Sequence, residues 1–306
     1  MLASIRSRVV MLAKGGWPAL GSLVDSILPM PLDPMALLPI ATCRAAGGAI
    51  SESINVAVAV VLVDISLRII DDCADMDDPE ALYRSIGVGR SINYAMALST
   101  IATCELSRSH LPANRLEELL NCYFRSFLHV CQGQDDDISK PMKTLAEYEE
   151  VVKLKTVAAY EFATRVGAHI ATSDPNVIAF CSNCGIHLGW MTQILDDIEA
   201  LWFPSVENSS GIEKPTFPLL FGLIIDHPNT QLLEKLRYAK NYDRTQICTL
   251  LDEMNVRSRL LNLALGHRDQ AIEALTGSLN PEGGIILRLW LDWLLRDCSR
   301  LLEAVS

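Results

Sequence analysis

The amino-acid sequence predicts an all-α fold, a single large helical bundle over residues 1–306. Three observations carry that expectation. Strong helix formers recur along the whole chain, and the two-residue alternation of strands is nearly absent. Long segments place apolar residues at three- and four-residue spacing, with Asn-Pro and Asp-Pro pairs in the gaps between them. Several of these segments are apolar nearly all round, which suits helices in the middle of a large bundle. With 50% hydrophobic residues the chain has ample material for a buried core. No run longer than about ten residues reads as a linker, so one domain is expected rather than two.

In chain order, the first apolar run, residues 9–13, follows Arg6 and Arg8 but is cut by Lys14 and Gly15-Gly16, too short for a signal sequence. Residues 54–78, INVAVAVVLVDISLRIIDDCADMDD, form a long apolar helix with an acidic end. Its apolar stretch 54–63 is about half of what spans a bilayer, so no transmembrane anchor is expected. Residues 115–129, 145–168 and 285–305 carry helical periodicity, and MTQILDDIEAL at 191–201 is an apolar helix interrupted by acids. QGQDDDI at 132–138 adds polar groups that could orient metal-bound waters or ligands, and reads equally as a solvated loop. Nine scattered cysteines, an odd number, point to a reducing, cytoplasmic setting without disulfides. The balance of 37 acidic against 26 basic residues, net charge −11, excludes a nucleic-acid binder or a protein of anionic membrane surfaces.

The chemistry concentrates in the acids. Asp71, Asp72 and Asp75 stand at i, i+1 and i+4, so Asp71 and Asp75 share a helical face with Asp72 beside them. Like charges at that spacing repel, and carboxylates at a helix C-terminus oppose its dipole. A hard divalent cation answers both, because Mg²⁺ takes oxygen ligands from one or two carboxylates and leaves places for water and phosphate. The alternative is a solvated acidic helix end. Asp196 and Asp197, with Gln193 a turn before, form a second acidic site that could face the first across a bundle, although an ordinary amphipathic helix fits the same pattern equally well. Gln134 and its acidic neighbours could orient ligands, and Lys155-Thr156 and Lys214 offer cations for a phosphate, although lone lysines are mostly surface residues. Cys181 and Cys184 form a single CxxC beside His187, with no second pair to complete a metal site, and Gly87–Gly89 lacks the third glycine of a nucleotide loop.

Taken in order, these motifs resemble those of the trans-isoprenyl diphosphate synthases. Asp71-Asp72-Cys-Ala-Asp75 matches the first DDxxD motif, Gly133-Gln134 with Asp137 the GQ…D segment, and Lys155-Thr156 the KT motif. Gln193 through Asp197 matches the second aspartate-rich motif, and Lys214 through Pro218 the K-P-T-x-P segment. The resemblance runs from about residue 30 to 225. It implies a bundle around a deep apolar cavity, usually a homodimer, in which several Mg²⁺ ions hold an allylic prenyl diphosphate between the two acidic helices. Metal ligands would be Asp71, Asp75, Asp196 and Asp197, with Asp72 in the catalytic set. Lys155, Thr156, Gln193, Lys214 and Gln134 would bind substrate, while Ser66 and Leu67 would floor the prenyl tunnel.

Departures from the family pattern are equally informative. The basic segment that binds isopentenyl diphosphate falls on residues 30–36, which hold no basic residue, and the Arg-Arg pair after the first motif falls on Glu80-Ala81. Asp33 and Glu80 would repel a second diphosphate. Ala200 stands in place of the last Asp of the second motif. The expectation is therefore a class I terpene synthase that ionises a prenyl diphosphate, leaning to C20 because Ser66 is small, releases pyrophosphate and cyclises the cation against aromatic rings. Tyr123, Phe124, Phe127, Tyr160, Phe162, Trp190 and Trp202 are the candidate rings. The alternatives are a prenyltransferase acting on a peptide tryptophan, a chain-elongating synthase, or a non-catalytic subunit of one.

Overall fold

The structure is a computed structural model that describes residues 1–29, 32, 34–76, 78, 80–140, 142–203, 216–237, 244–276 and 280–295. Among them every regular element is helical: α1 (Leu2–Gly16), α2 (Pro18–Ile27), α3 (Leu37–Ala45), α4 (Ile50–Asp75), α5 (Leu82–Ile86), α6 (Val88–Ser107), α7 (Ala113–Ser139) and α8 (Leu145–Val152). A π-helical turn (Lys153–Val157) leads into α9 (Ala158–Ala171), followed by α10 (Pro175–Trp202), α11 (Phe217–Ile224), α12 (Thr230–Arg237), α13 (Arg244–Glu253), α14 (Val256–Thr276) and α15 (Pro281–Leu295). The all-α expectation is met.

Local chemistry sets the boundaries. Pro18 and Pro175 occupy first-turn positions, where a missing N–H removes no bond. Asp174 caps α10 by accepting from Asn176 N–H at 2.9 Å. Thr144 and Glu147 form a reciprocal capping box that starts α8, with Glu147 N–H donating to Thr144 Oγ1 at 3.2 Å. The acidic helix stops at Asp75, where Met76 turns left-handed with φ 56°.

Two long helices form the centre. α4 packs most extensively on α6 and also meets α3 and α9, while α10 lies between α9 and α14. Every residue from 56 to 63 is buried, which is why α4 reads as apolar all round. By length and apolarity α4 would also pass for a membrane span, but it is a core helix, with 67% of that window buried inside the protein. One hydrophobic cluster runs from Ile5 in α1 to Leu291 in α15.

Three local expectations are refined. Residues 132–138 are the last turns of α7, which excludes the solvated loop. The segment 145–168 is two helices joined by the π turn. Of 285–305 the described part ends with α15 at Leu295. Cys181 and Cys184 are buried free thiols, and burial pushes the Cys181 pKa up to about 12, so neither is a ready thiolate ligand. His187 instead meets His267 of α14, Nδ1 to Nδ1 at 3.0 Å.

Candidate active site

Lys155 is the hub of the site. Its ammonium donates to Asp71 Oδ1 of α4 at 3.0 Å and to Asp137 Oδ2 of α7 at 2.8 Å. Burial acts to lower its pKa, but Asp71 and Asp137 outweigh that and hold it above the usual lysine value. Three of the matched segments therefore meet on one side chain. The π turn makes this possible by inserting an extra residue into the helical path, a distortion frequent at functional sites. Two glycines let other backbones approach it. A Cβ on Gly133 of α7 would come within 2.9 Å of Lys155 N, and one on Gly189 of α10 within 2.7 Å of Val157 Cα.

The same turn reaches α10. Thr156 Oγ1 donates to Gln193 Oε1 at 2.5 Å, and Gln193 Nε2 donates to Asp197 Oδ1 at 3.0 Å and to Tyr148 Oη at 3.1 Å. Tyr148 Oη in turn donates to Asp197 Oδ2, which also accepts Phe217 N–H at 2.8 Å. Asp197 is buried, and desolvation raises its pKa to about 6 against the lowering pull of its hydrogen bonds. Both carboxylate oxygens thus face protein donors, so Asp197 ties α8, α10 and the start of α11 together, an arrangement unlike that of the expected metal ligand. Its neighbour Asp196 is exposed on α10. Sequence reasoning missed Tyr148, whose part depends on contacts 45 and 49 residues away.

Asp71, Asp72 and Asp75 are half-buried at the end of α4. Gln134 is buried one turn from Asp137, and its amide nitrogen has no hydrogen-bond partner among the described residues. Such an orphan donor fits an anionic guest. Among the described residues no three His, Cys, Asp or Glu side chains converge as a self-sufficient metal cage. Hard carboxylate oxygens beside a lysine do fit Mg²⁺ that completes its shell with diphosphate and water. Lys214 and Asp33 lie outside the described residues.

Behind the acids a narrow apolar cavity of about 30 Å³ is lined by Val60, Val63, Asp64 and Leu67 of α4 and by Tyr123, Phe127 and Phe162. The lining positions of α4 are the helical stripe i, i+3, i+4 and i+7, which continues to Asp71. Leu67 therefore lines the cavity. Ser66 does not: it lies off that stripe, donating to Ala95 O of α6 at 2.9 Å and hydrogen-bonded to Ser99 Oγ at 2.7 Å. The small-residue reason for a C20 chain lapses with it. Of the seven candidate aromatics only Tyr123, Phe127 and Phe162 line this cavity; Phe124 is exposed and Tyr160 packs on Trp290.

A larger cavity of about 210 Å³ opens on the next face of α4, beside Asp72. Leu32, Met35, Glu80 and Ala81, which stand where the family pattern is basic, all line it. Among the described residues that line it neither Arg84 nor Arg90 appears: Arg84 donates to Met76 O at 3.0 Å and Arg90 to Tyr94 Oη at 3.2 Å.

The sequence profile of the polyprenyl synthetase family matches residues 35–254. The chain belongs to that family. A curated relative, tryptophan prenyltransferase ComQ of Bacillus subtilis (strain 168), is 28% identical over 199 residues, 64% of this chain and 62% of its own. The geranylfarnesyl diphosphate synthase of Natronomonas pharaonis is 27% identical over 163 residues, 51% of this chain and 48% of its own. The matches thus span less than two-thirds of either relative's length. Among solved structures, geranylgeranyl pyrophosphate synthetase from Pyrococcus horikoshii superposes with TM-score 0.80 at 22% identity over 94% of both chains. The fold is that of the isoprenyl diphosphate synthases.

Proposed function

We propose that the chain ionises an allylic prenyl diphosphate with Mg²⁺ and passes the prenyl group to an acceptor that is not isopentenyl diphosphate. The observation that carries this reading is the Lys155 bridge between Asp71 and Asp137, standing beside a cavity walled by Leu32, Met35, Glu80 and Ala81. Asp71, Asp75 and exposed Asp196 would hold the metal, and Mg²⁺ when bound supplies positive charge against the charge that builds on the leaving diphosphate. Lys155 keeps Asp71 and Asp137 from repelling each other, and its third N–H is available for a phosphate oxygen. Gln134 offers its unpartnered amide N–H. Thr156 and Gln193 fix the turn that presents Lys155 against α10. The allylic C–O bond breaks with its electron pair leaving on pyrophosphate, and the prenyl chain would extend toward the apolar cavity, which has to widen from about 30 Å³ to take it. The name of the Bacillus relative supports an indole as acceptor.

A second reading, cyclisation of the cation by its own double bonds, is favoured by one observation: the rings of Tyr123, Phe127 and Phe162 surround the chain cavity and offer π faces to positive charge. Product analysis by mass spectrometry separates the readings. Purified protein and Mg²⁺ are incubated with C10, C15, C20 and C25 allylic diphosphates, alone, with isopentenyl diphosphate, or with a tryptophan-containing peptide. A prenylated peptide is the expected product. Cyclic hydrocarbon from the allylic diphosphate alone would establish the second reading, and longer diphosphates made only with isopentenyl diphosphate would contradict both.

A further inference from the structure

Tyr148 of α8 is buried, and its hydroxyl is held from two sides. It donates its single proton to Asp197 Oδ2, so toward Gln193 it can only accept, and Gln193 Nε2 donates to it at 3.1 Å. Asp197 Oδ1, a carboxylate oxygen, also only accepts, and takes the other Nε2 proton at 3.0 Å. Two acceptors on one side of the Gln193 amide fix which way round it sits, because the reverse arrangement would set its oxygen against both of them. Its carbonyl is thereby turned to the π turn, where Thr156 Oγ1 donates to it at 2.5 Å. The ring of Phe217 stands edge-on to Tyr148 at 84° with centroids 5.9 Å apart, and Phe217 N–H donates to Asp197 Oδ2 at 2.8 Å, so α11 braces both acceptors.

We infer, resting on the ionisation reading above, that Tyr148 is a positioning residue for the ionisation step, acting through Gln193 and Thr156 on Lys155. It lies outside every matched motif. Lys155 and Thr156 are neighbours in a turn that carries one residue more than an α-helix would, so the ordinary helical ladder does not fix their register. The bond from Thr156 to Gln193 ties the turn to α10 instead. With the amide reversed, Thr156 would have to give up that bond and turn its hydroxyl to accept. Gly189 permits the close approach: a Cβ there would stand 3.4 Å from Thr156 O and 2.7 Å from Val157 Cα. At its far end Lys155 is held by Asp71 at 3.0 Å and Asp137 at 2.8 Å, so a shift of the turn is felt as a misplaced ammonium. Misplacement costs turnover more than binding. A ground-state diphosphate can follow the ammonium, whereas the charge that builds as the C–O bond breaks needs it in place.

Kinetics and one spectroscopic signal test this on the full chain, with Mg²⁺ and an allylic diphosphate, well below the unfolding temperature. Tyr148→Phe is expected to lower kcat for pyrophosphate release roughly 10- to 100-fold while KM changes less than about threefold. In a Gln193→Met background the same substitution is expected to change kcat less than about twofold, because the path to Lys155 is already cut. Gln193→Glu keeps an oxygen for Thr156 but sets another against Tyr148 and Asp197, and is expected to lose at least as much turnover as Gln193→Met. It tests the sense of the amide even where Tyr148→Phe does not fold. In protein carrying ¹⁵N in its glutamine side chains, both Gln193 amide protons are expected to exchange slowly with solvent, and one of them to become fast in Tyr148→Phe. Unchanged kcat in Tyr148→Phe, a loss confined to KM, an equal loss with and without Gln193, full activity in Gln193→Glu, or fast exchange of both protons in the wild type would overturn the inference. Absence of pyrophosphate release from the wild type would defeat the ionisation reading and with it the part of Tyr148 in that step. Wild-type release that Tyr148→Phe leaves untouched would defeat only the positioning role.

Discussion

Lys155 carries more of the site than any other side chain, because it neutralises Asp71 and Asp137 and retains a donor for phosphate. Replacing it with Met should lower turnover roughly 100- to 1000-fold, the usual effect of removing one electrostatic donor from a reacting centre. Asp71→Ala should abolish pyrophosphate release while leaving the unfolding temperature close to that of the wild type, since the Asp71 side chain is 44% exposed and such pairs contribute little to stability. Full activity in Asp71→Ala would remove it from the mechanism. Tyr148 is a different case. Tyr148→Phe leaves the buried Asp197 carboxylate one donor short and should cost about 1–3 kcal/mol in denaturant unfolding. An unchanged midpoint would show that the contact is dispensable. The lysine was legible in the sequence because it stands next to Thr156 at a fixed place among the acids. Tyr148 was not, since a lone tyrosine in an amphipathic helix has no local mark, and the inward turn of Asp197 is decided by α8 and α11.

At the scale of elements, helical phase explains why Leu67 lines the apolar cavity and Ser66 does not. Counting back from Asp71 by whole turns gives Leu67, Asp64, Val63 and Val60, the α4 residues that line the narrow apolar cavity. Ser66 falls outside that count, so its small side chain faces α6 and leaves the tunnel to its neighbours. That much is readable from a helical wheel. The π turn is not, because an extra residue in a helix has no composition of its own; only its close neighbours Gly133 and Gly189 betray how near other backbones come. Between α10 and α14 the paired imidazoles of His187 and His267 share one hydrogen bond, which needs one ring to be a donor and the other an acceptor. Burial lowers both pKa values below the usual 6.5, with the facing ring lowering His267 further. Such groups stay neutral in the native state while the unfolded chain takes up protons. Their stabilisation is therefore complete above pH 6.5 and lost as the pH falls through and below that value. The unfolding temperature should drop more steeply between pH 7 and pH 5 in the wild type than in His267→Gln. Parallel slopes would mean that the pair does not titrate.

For the whole molecule, the all-α class followed from periodicity alone, and three of the matched segments meet at Lys155. Periodicity and motifs are local and therefore visible along a single chain. What a sequence hides is where residues distant along the chain share one wall. Leu32 and Met35 before α3 and Glu80 and Ala81 before α5 surround one cavity with the middle of α4, and this placement turns scattered losses of basic residues into a changed site. On the proposed function, ionisation survives while chain elongation by isopentenyl diphosphate does not. The direct measurement supplies an allylic diphosphate and carbon-labelled isopentenyl diphosphate together, and follows pyrophosphate release and label incorporation in one reaction. Pyrophosphate release that depends on Mg²⁺, proceeds without isopentenyl diphosphate and leaves the label unincorporated is the predicted result. Release that occurs only with isopentenyl diphosphate, matched by label in a longer diphosphate, would contradict it.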